Sequence, residues 1–444
     1  VKTFVFTLVL AVAGFVHGLP NIVFIMADDL GWADVGFHGG NAPTPHLDQL
    51  AREGLELTRH YVAPVCSPTR AAFMTGRFWS RFGITSPHAE RALPEDTETL
   101  PRALGRMGYD TCITGKWHLG SLPEWGPHHY GFDHGYGSLG GGVGPYNHRY
   151  KEGPYTRTWH RNGELIEESG HVTDLVTDEA IRWLEERSDK PFFLYIPHPA
   201  VHLPVKEPDP WLERVPSSIT GEVARHYAAC VMHLDDAVGR VVATLERIGK
   251  RDNTLLIFTS DNGGSTAENN DTKYPDDNYP QGRLPGNNLP LRGKKGDLYE
   301  GGIRVPTIAS WPGVLKPGKF EAPVHISDWM PAVCWLAYYK PEHDLKWDGV
   351  NIWPALSGET QMAERALYWT APGFRASAVL RWPWKLIVTP AKGGAGEKAE
   401  LFNLDSDPGE TRDESGAKPE LVKELRGALA KLAERDNDAK VGRD

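Results

Sequence analysis

Several short segments carry side chains whose types and spacing could do chemistry, and five of them directly follow or border apolar runs. Asp28 and Asp29 come right after Asn21 to Met26, and Asp261, Asn262, Gly263 and Gly264 come after Leu255 to Thr259. In open α/β sheets, ligands gather beyond the carboxyl ends of the strands. Three carboxylates and one amide there offer oxygen only, a donor set that suits a hard divalent cation, calcium or magnesium, rather than zinc. Taken singly, each pair reads more simply as Asx turns or helix caps. Lys116 and His118 end a third run, a cation for an anion and an acid or base for the same crevice, or else a solvated lysine and a packed histidine. His198 and His202 follow Phe192 to Ile196, and Lys294 and Lys295 precede Tyr299 to Arg304. A separate structural explanation would have to hold for each of the five segments, whereas one ligand crevice explains them together.

A sixth segment is Cys66-Ser67-Pro68-Thr69-Arg70, ahead of a helical run ended by Gly76. The pattern predicts that Ser67 caps the helix, Pro68 takes its first position and Arg70 lies one turn in. Cys66 then stands at a positive helix end beside a guanidinium, where an anionic substrate is favoured. A buried cysteine at a helix start and thiol-protease chemistry are the other readings of this segment.

The elements that must position these groups alternate. Strands are expected at Asn21 to Met26, Tyr109 to Thr114, Phe192 to Ile196 and Thr254 to Thr259. Helices are expected at Thr173 to Glu186, at Glu222 to Ile248, and from Thr44-Pro45, with Thr44 as cap and Gly54 as stop. Such alternation predicts an α/β fold, a mostly parallel or mixed sheet with helices on both faces. From Leu356 the pattern becomes short β runs, Ala366 to Thr370, Ser377 to Leu380 and Trp384 to Thr389, then a charged helix from Lys418 to Asp436, a small α+β unit. The expected division is 1–18 signal peptide, 19–355 catalytic domain, and 356–444 C-terminal subdomain with a small antiparallel sheet and a terminal helix.

The 444 residues carry 48 basic and 58 acidic side chains, a net charge of -10, which sets nucleic acid aside as a partner. Val1 to Gly18 has one lysine, an apolar run from Phe4 to Val16 and small residues before a cleavage point, and reads as a secretory signal, so export is expected. The run is shorter than the ~20 residues of a comfortable membrane span, and no other segment is apolar for long enough. Four cysteines do not make a disulfide scaffold; Cys112, Cys230 and Cys334 are expected as packed thiols.

The segments NIVFIMADDLGWADVGFHG from Asn21, Cys66 to Arg70 with Thr75-Gly76-Arg77, GYDTCITGKWHLG from Gly108, GFDHGYGSLGG from Gly131, FFLYIPHPAVHLP from Phe192, FTSDNGG from Phe258, LRGKKGDLYEGGIRVP from Leu291 and ELFNLDSDPGE from Glu400 run in one order over nearly all of the chain. In them the chain resembles the type I sulfatases of the alkaline phosphatase superfamily, in particular the arylsulfatase B-like or N-acetylgalactosamine sulfatase branch. The resemblance implies a large mixed sheet sandwiched by helices. It also implies that a formylglycine-generating enzyme or an anaerobic sulfatase-maturating enzyme, met transiently, converts Cys66 to Cα-formylglycine. The hydrated aldehyde is then the nucleophile. A metal ion, calcium with magnesium as the alternative, would be held by Asp28, Asp29, Asp261, Asn262 and residue 66. Arg70 and Lys116 would stabilise the diol, and Lys116 and Lys295 would hold sulfate oxygens. His202 would be the leaving-group acid, and His118 would contact the second hydroxyl.

Where relatives have serine in a Tyr-Ser-His segment that touches sulfate, this chain has Tyr146-Asn147-His148, and Asn147 would have to donate through its amide. His198 has no family role and is expected to be structural or a substrate contact. The polar segment Ser265 to Pro290, with Tyr274, Asp276, Asp277, Tyr279, Gln281 and Arg283, is expected to frame the leaving-group pocket together with Gly137 to Tyr150. Its polar and aromatic mix suits a sulfated glycan attacked from an end, with aryl sulfates as artificial substrates. The competing readings are a phosphate or phosphonate ester hydrolase of the same superfamily and a non-catalytic binder of sulfated glycans.

Overall fold

A computed structural model of the protein describes residues 18–269, 274–275, 278–391 and 396–442. The signal-like segment before Gly18, and Asp276 and Asp277, lie outside the described residues. Ten strands make one sheet, in the order Gly318–Phe320, Leu55–Leu57, Ile308–Ser310, Thr254–Ser260, Asn21–Ala27, Phe192–Pro197, Asp110–Lys116, His134–Ser138, Trp159–Arg161 and Glu164–Leu165. The five strands from Thr254–Ser260 to His134–Ser138 are mutually parallel, and antiparallel pairings flank them on both sides. This is the mixed α/β sheet that the alternation predicted.

Asn21–Ala27 is buried throughout because it has a helical layer on each face. Ile22, Phe24 and Met26 point into the core shared with the helices Cys66–Thr75, Leu100–Arg106 and Trp329–Leu336. Val23, Ile25 and Ala27 point into the core shared with Pro45–Glu53, Val172–Glu185 and Glu222–Arg247. A strand covered on both sides reads as an unbroken apolar run, which is why period-two alternation is missing from it. Parallel register brings chemistry to one edge: Ala27 pairs with Ser260 and Met26 with Pro197, so the residues that follow leave the sheet at one level.

Helix Pro45–Glu53 does begin after Thr44, but the Thr44 side chain does not cap it. Asp235, from the long helix packed alongside, accepts from the His46 and Leu47 amides at 3.2 and 2.8 Å instead. The strands Ala366–Thr370, Ser377–Arg381, Trp384–Pro390 and Glu397–Asn403 form an antiparallel meander. One face packs Val379, Leu386 and Leu401 against Leu425 of the helix Pro419–Ala433, and the other sends Trp369, Leu380 and Phe402 into the core of the large sheet. Cys112, Cys230 and Cys334 are buried free thiols. Among the described residues no helix is long and apolar enough to cross a membrane.

Candidate active site

The loops leaving Asn21–Ala27 and Thr254–Ser260 bring Asp28, Asp29, Asp261 and Asn262 together across more than 230 residues of chain. The Asp29 amide donates to Asp261 Oδ1 at 3.2 Å, and Asn262 Nδ2 donates to Asp29 Oδ1 at 2.8 Å. Burying three carboxylates requires compensating cations, and three side chains supply them. Lys116 Nζ, at the end of Asp110–Lys116, donates to Asp28 Oδ2. Arg70 NH2 lies 2.7 Å from Asp261 Oδ2 and 3.6 Å from Asp28 Oδ2. Lys295 Nζ lies 2.6 Å from Asp29 Oδ1. The balance differs between neighbours. Burial and the nearby Asp261 push Asp28 up to about 7 despite Lys116. Burial also opposes ionisation of Asp29, but Lys295 and His202 hold it well below the usual carboxylate range.

Within the cluster, two buried oxygens have no hydrogen-bond partner, Asp28 Oδ1 and Asn262 Oδ1. An orphaned buried acceptor costs about 1–3 kcal/mol unless something satisfies it. The two belong to a cluster that offers oxygen donors only, so the residues fit a hard cation such as calcium or magnesium.

Cys66 opens its helix, with one correction to the sequence reading. The helix Cys66–Thr75 is preceded by Val65, and no side chain caps it. Ser67 instead accepts from the His88 amide at 3.0 Å, and Pro68 falls inside the first turn, where the missing amide hydrogen costs nothing. Thr69 fixes the helix to the metal-side loop by donating to the Asp261 carbonyl at 2.6 Å. Arg70 NH1 donates to the Lys116 carbonyl at 2.5 Å. Burial pushes the Cys66 thiol up, against the pull of Lys116 and Lys295. A thiol so placed is not a primed thiolate, which argues against thiol-protease chemistry.

His118 and His202 both line the same crevice as Cys66 and Lys295. Burial holds both imidazoles well below their ordinary value, reinforced by Lys116 at His118 and by Lys295 at His202. His118 Nδ1 is buried with no partner, and His202 Nε2 lies 3.9 Å from Asp29 Oδ2. His118 adopts a positive φ, and a Cβ at Gly141 would come within 2.2 Å of its Nε2, so only glycine permits that ring position.

The crevice has a volume of about 520 Å³ and is also lined by Gly141, Tyr150, Ser265, Glu268, Tyr274 and Arg283. Both segments expected to frame it therefore contribute. Pro87 and Lys151 line it too, and neither was singled out by the sequence; a single lysine beyond a Tyr-x-x-x-Tyr stretch gives no periodic or motif signal. Asn147 is not brought to this wall. Its Nδ2 donates to the Pro275 carbonyl at 3.1 Å, tying two loops together, and its Oδ1 accepts from the Arg149 amide at 3.0 Å. His198 is also elsewhere: it is fully buried, with both ring nitrogens unpartnered, and the charged groups nearest in influence are His233 and Arg240.

Fold and site together are those of an alkaline phosphatase-like ester hydrolase. The family model described as Sulfatase matches residues 20–338. Mouse arylsulfatase J is 36% identical over 350 residues, covering 76% of this chain and 56% of that protein. Mouse N-acetylgalactosamine-6-sulfatase is 34% identical over 375 residues, covering 79% of this chain and 68% of that protein. The crystal structure of Ps i-CgsB in complex with k-i-k-neocarrahexaose superposes with a TM-score of 0.83 at 30% identity, covering 95% of each chain. The chain belongs to the sulfatase family and is a sulfuric ester hydrolase.

Proposed function

We propose that the protein removes sulfate from a sulfated carbohydrate, with residue 66, matured from cysteine to formylglycine, as the nucleophile. The convergence of Cys66 with Lys116, Lys295, His118 and His202 on one crevice beside an all-oxygen cluster carries this reading. Asp28, Asp29, Asp261, Asn262 and residue 66 would hold calcium, or magnesium in its place. When bound, the ion supplies positive charge against the sulfate oxygens. Lys116, Lys295 and Arg70 supply the rest in fixed positions, and preorganised charge in a water-poor site is worth far more than the same charge in solvent. His202, held by its Nδ1 contact to the Leu203 carbonyl, donates a proton to the departing oxygen through Nε2 in its imidazolium form, which Asp29 and the bound sulfate favour against the burial that otherwise keeps the ring neutral. His118, kept neutral by burial, takes the proton of the diol's second hydroxyl so that the aldehyde re-forms and sulfate leaves. A plain serine or cysteine has no second hydroxyl, which is what the maturation provides.

The names of the relatives, and the tyrosines and polar side chains on the crevice wall, support the carbohydrate. Export after removal of Val1 to Gly18, and encounter with a maturating enzyme on the way, belong to the same proposal. Mass spectrometry of the tryptic peptide from His60 to Arg70 tests it. Maturation should make that peptide about 18 Da lighter, and active enzyme carrying only intact Cys66 would overturn the mechanism. Aryl sulfate should be turned over in strong preference to aryl phosphate; the reverse preference would favour the phosphoester reading.

A further inference from the structure

A second cavity of about 680 Å³ adjoins the catalytic crevice, and the two share Thr266 and Lys294 as lining residues. Both volumes fall within the roughly 300–1,000 Å³ of sites that hold multi-ring ligands. The second cavity is lined by the start of the helix Glu222–Arg247 and the segment from Pro285 to Asp297, and Cys66 does not line it.

Its walls are fixed before any ligand arrives. Asn288 both accepts from the Gly264 amide at 2.7 Å and donates to the Gly264 carbonyl at 3.1 Å, tying this wall to the loop of Asp261 and Asn262. Tyr227 donates to Asp34 at 2.6 Å. The surface left to a ligand mixes apolar patches, Ala224 and the 70% exposed Leu289, with the exposed amide of Asn41. That mixture fits the C–H faces and hydroxyls of a pyranose. Lys294 is the charged group on the boundary. Its ammonium donates to Thr266 Oγ1 at 2.8 Å and pairs with no carboxylate among the described residues, unlike Lys116 and Lys295. Of the other charged groups on this wall, Asp34 accepts from Tyr227, Asp297 accepts from the Lys294 backbone amide at 3.2 Å and Arg292 stacks on Tyr299. That leaves the Lys294 ammonium as the cation at the boundary, where it draws an anion.

We infer that the adjoining cavity is a second carbohydrate subsite, which takes the sugar unit next to the one that loses sulfate, with Lys294 facing an anionic substituent of that unit. The inference rests on the proposed carbohydrate substrate. It makes the preferred substrate an oligosaccharide with two neighbouring anionic units, not a singly sulfated monosaccharide.

The test compares kcat/KM on an aryl sulfate, a sulfated monosaccharide, and matched sulfated oligosaccharides whose adjacent unit is neutral, carboxylated or sulfated. Ala224→Trp, and independently Asn41→Trp at an exposed position, fill the second cavity without reaching the catalytic one. Each should lower kcat/KM on the oligosaccharides about tenfold, as loss of about 1.4 kcal/mol of binding does, while aryl sulfate turnover stays within about twofold. Lys294→Gln should reduce the preference for an anionic over a neutral neighbour about fivefold or more, in line with a charge-assisted hydrogen bond; whether carboxylate or sulfate suffers more tells which substituent it meets. Filling variants that leave oligosaccharide turnover intact, or that lower all substrates alike, overturn the subsite. Matured wild-type enzyme that turns over aryl sulfate but gains nothing from the second sugar unit overturns it while the sulfatase activity stands; matured enzyme inactive on every sulfate ester defeats both.

Discussion

Replacing Lys385 with Met would test how the small C-terminal sheet is joined to the catalytic sheet. Lys385 Nζ lies 2.8 Å from Glu300 Oε1 and 2.7 Å from Glu410 Oε1, and all three side chains are fully buried. Glu300 also accepts from Tyr61 at 2.9 Å, and Glu410 from the Glu300 amide at 2.6 Å. Removing the ammonium leaves two buried carboxylates facing each other with the Arg304 guanidinium, 3.5 Å from Glu300 Oε2, as the remaining cation, and breaking a buried pair costs about 3–5 kcal/mol. At about 2.1 cal/mol/K of unfolding entropy per residue, that cost lowers the Tm of a chain this long by about 3–5 °C. The loss should depend on pH. Burial already pushes Glu410 up to about 7 against the pull of Lys385. A carboxyl raised in the folded state contributes stability below its unfolded value near 4.5, and that contribution is lost as pH rises through the folded value. Without Lys385 the folded value rises further, so the variant should be closest to wild type at pH 5.5 and worst at pH 8. Adding Glu410→Gln should restore most of the loss at pH 8, because it removes the uncompensated charge. Calorimetric Tm values for the single and double variants at the two pH values provide the assay. An equal loss at both pH values, undiminished in the double variant, would refute the electrostatic argument and leave a packing defect.

Further outcomes follow from other groups. His233 lies 3.1 Å from Asp174 and 2.8 Å from Glu207, and although burial opposes its charge these bonds raise it to about 9. Its stabilisation, about 3 kcal/mol from the shift, is complete below about pH 6.5 and lost as pH rises through about 9. The Tm of His233→Gln should therefore lie below wild type at pH 6 and converge with it near pH 10; a constant gap counts against this. His202→Gln should lower kcat/KM by about 10²–10⁴ on sugar sulfates but far less on aryl sulfates with activated leaving groups, and equal losses would remove His202 from the role of acid. A strong chelator should abolish turnover, and calcium or magnesium should restore it; undiminished turnover after exhaustive chelation would exclude a catalytic cation. Thermal shift with Asn262→Ala, which removes an orphaned oxygen, should show weaker stabilisation by added calcium than wild type.

Much of the fold was legible because its signals are local. The apolar runs at Asn21–Ala27, Phe192–Pro197 and Thr254–Ser260 become parallel central strands, and Glu222–Arg247 ends within a residue of its expected limit. The chemistry-bearing groups were legible because they stand where strands end. The errors concern partners from distant parts of the chain. Thr44 is a good cap by type, but Asp235 reaches the free amides first. Ser67 was expected to cap, but the helix begins two residues earlier, at Cys66 rather than Pro68, and the His88 amide donates to its hydroxyl. Asn147 has a donor suited to sulfate, but Pro275 takes it.

The sequence by itself determined the inventory: strand-ending carboxylates, a cysteine heading a helix, the cations Arg70, Lys116, Lys294 and Lys295, histidines after apolar runs, and an α/β alternation to carry them. Only the tertiary structure decided which of them meet. Parallel register sets Ala27 beside Ser260, and that pairing makes Asp28, Asp29, Asp261 and Asn262 one cluster. It also decided that Lys295 is spent on Asp29 while the adjacent Lys294 is left at the mouth of a second cavity. The physical reason is range. Periodicity, capping and turn chemistry act over a few residues, whereas charge compensation in a buried site is decided by whichever groups the packing of the whole sheet brings within hydrogen-bonding distance.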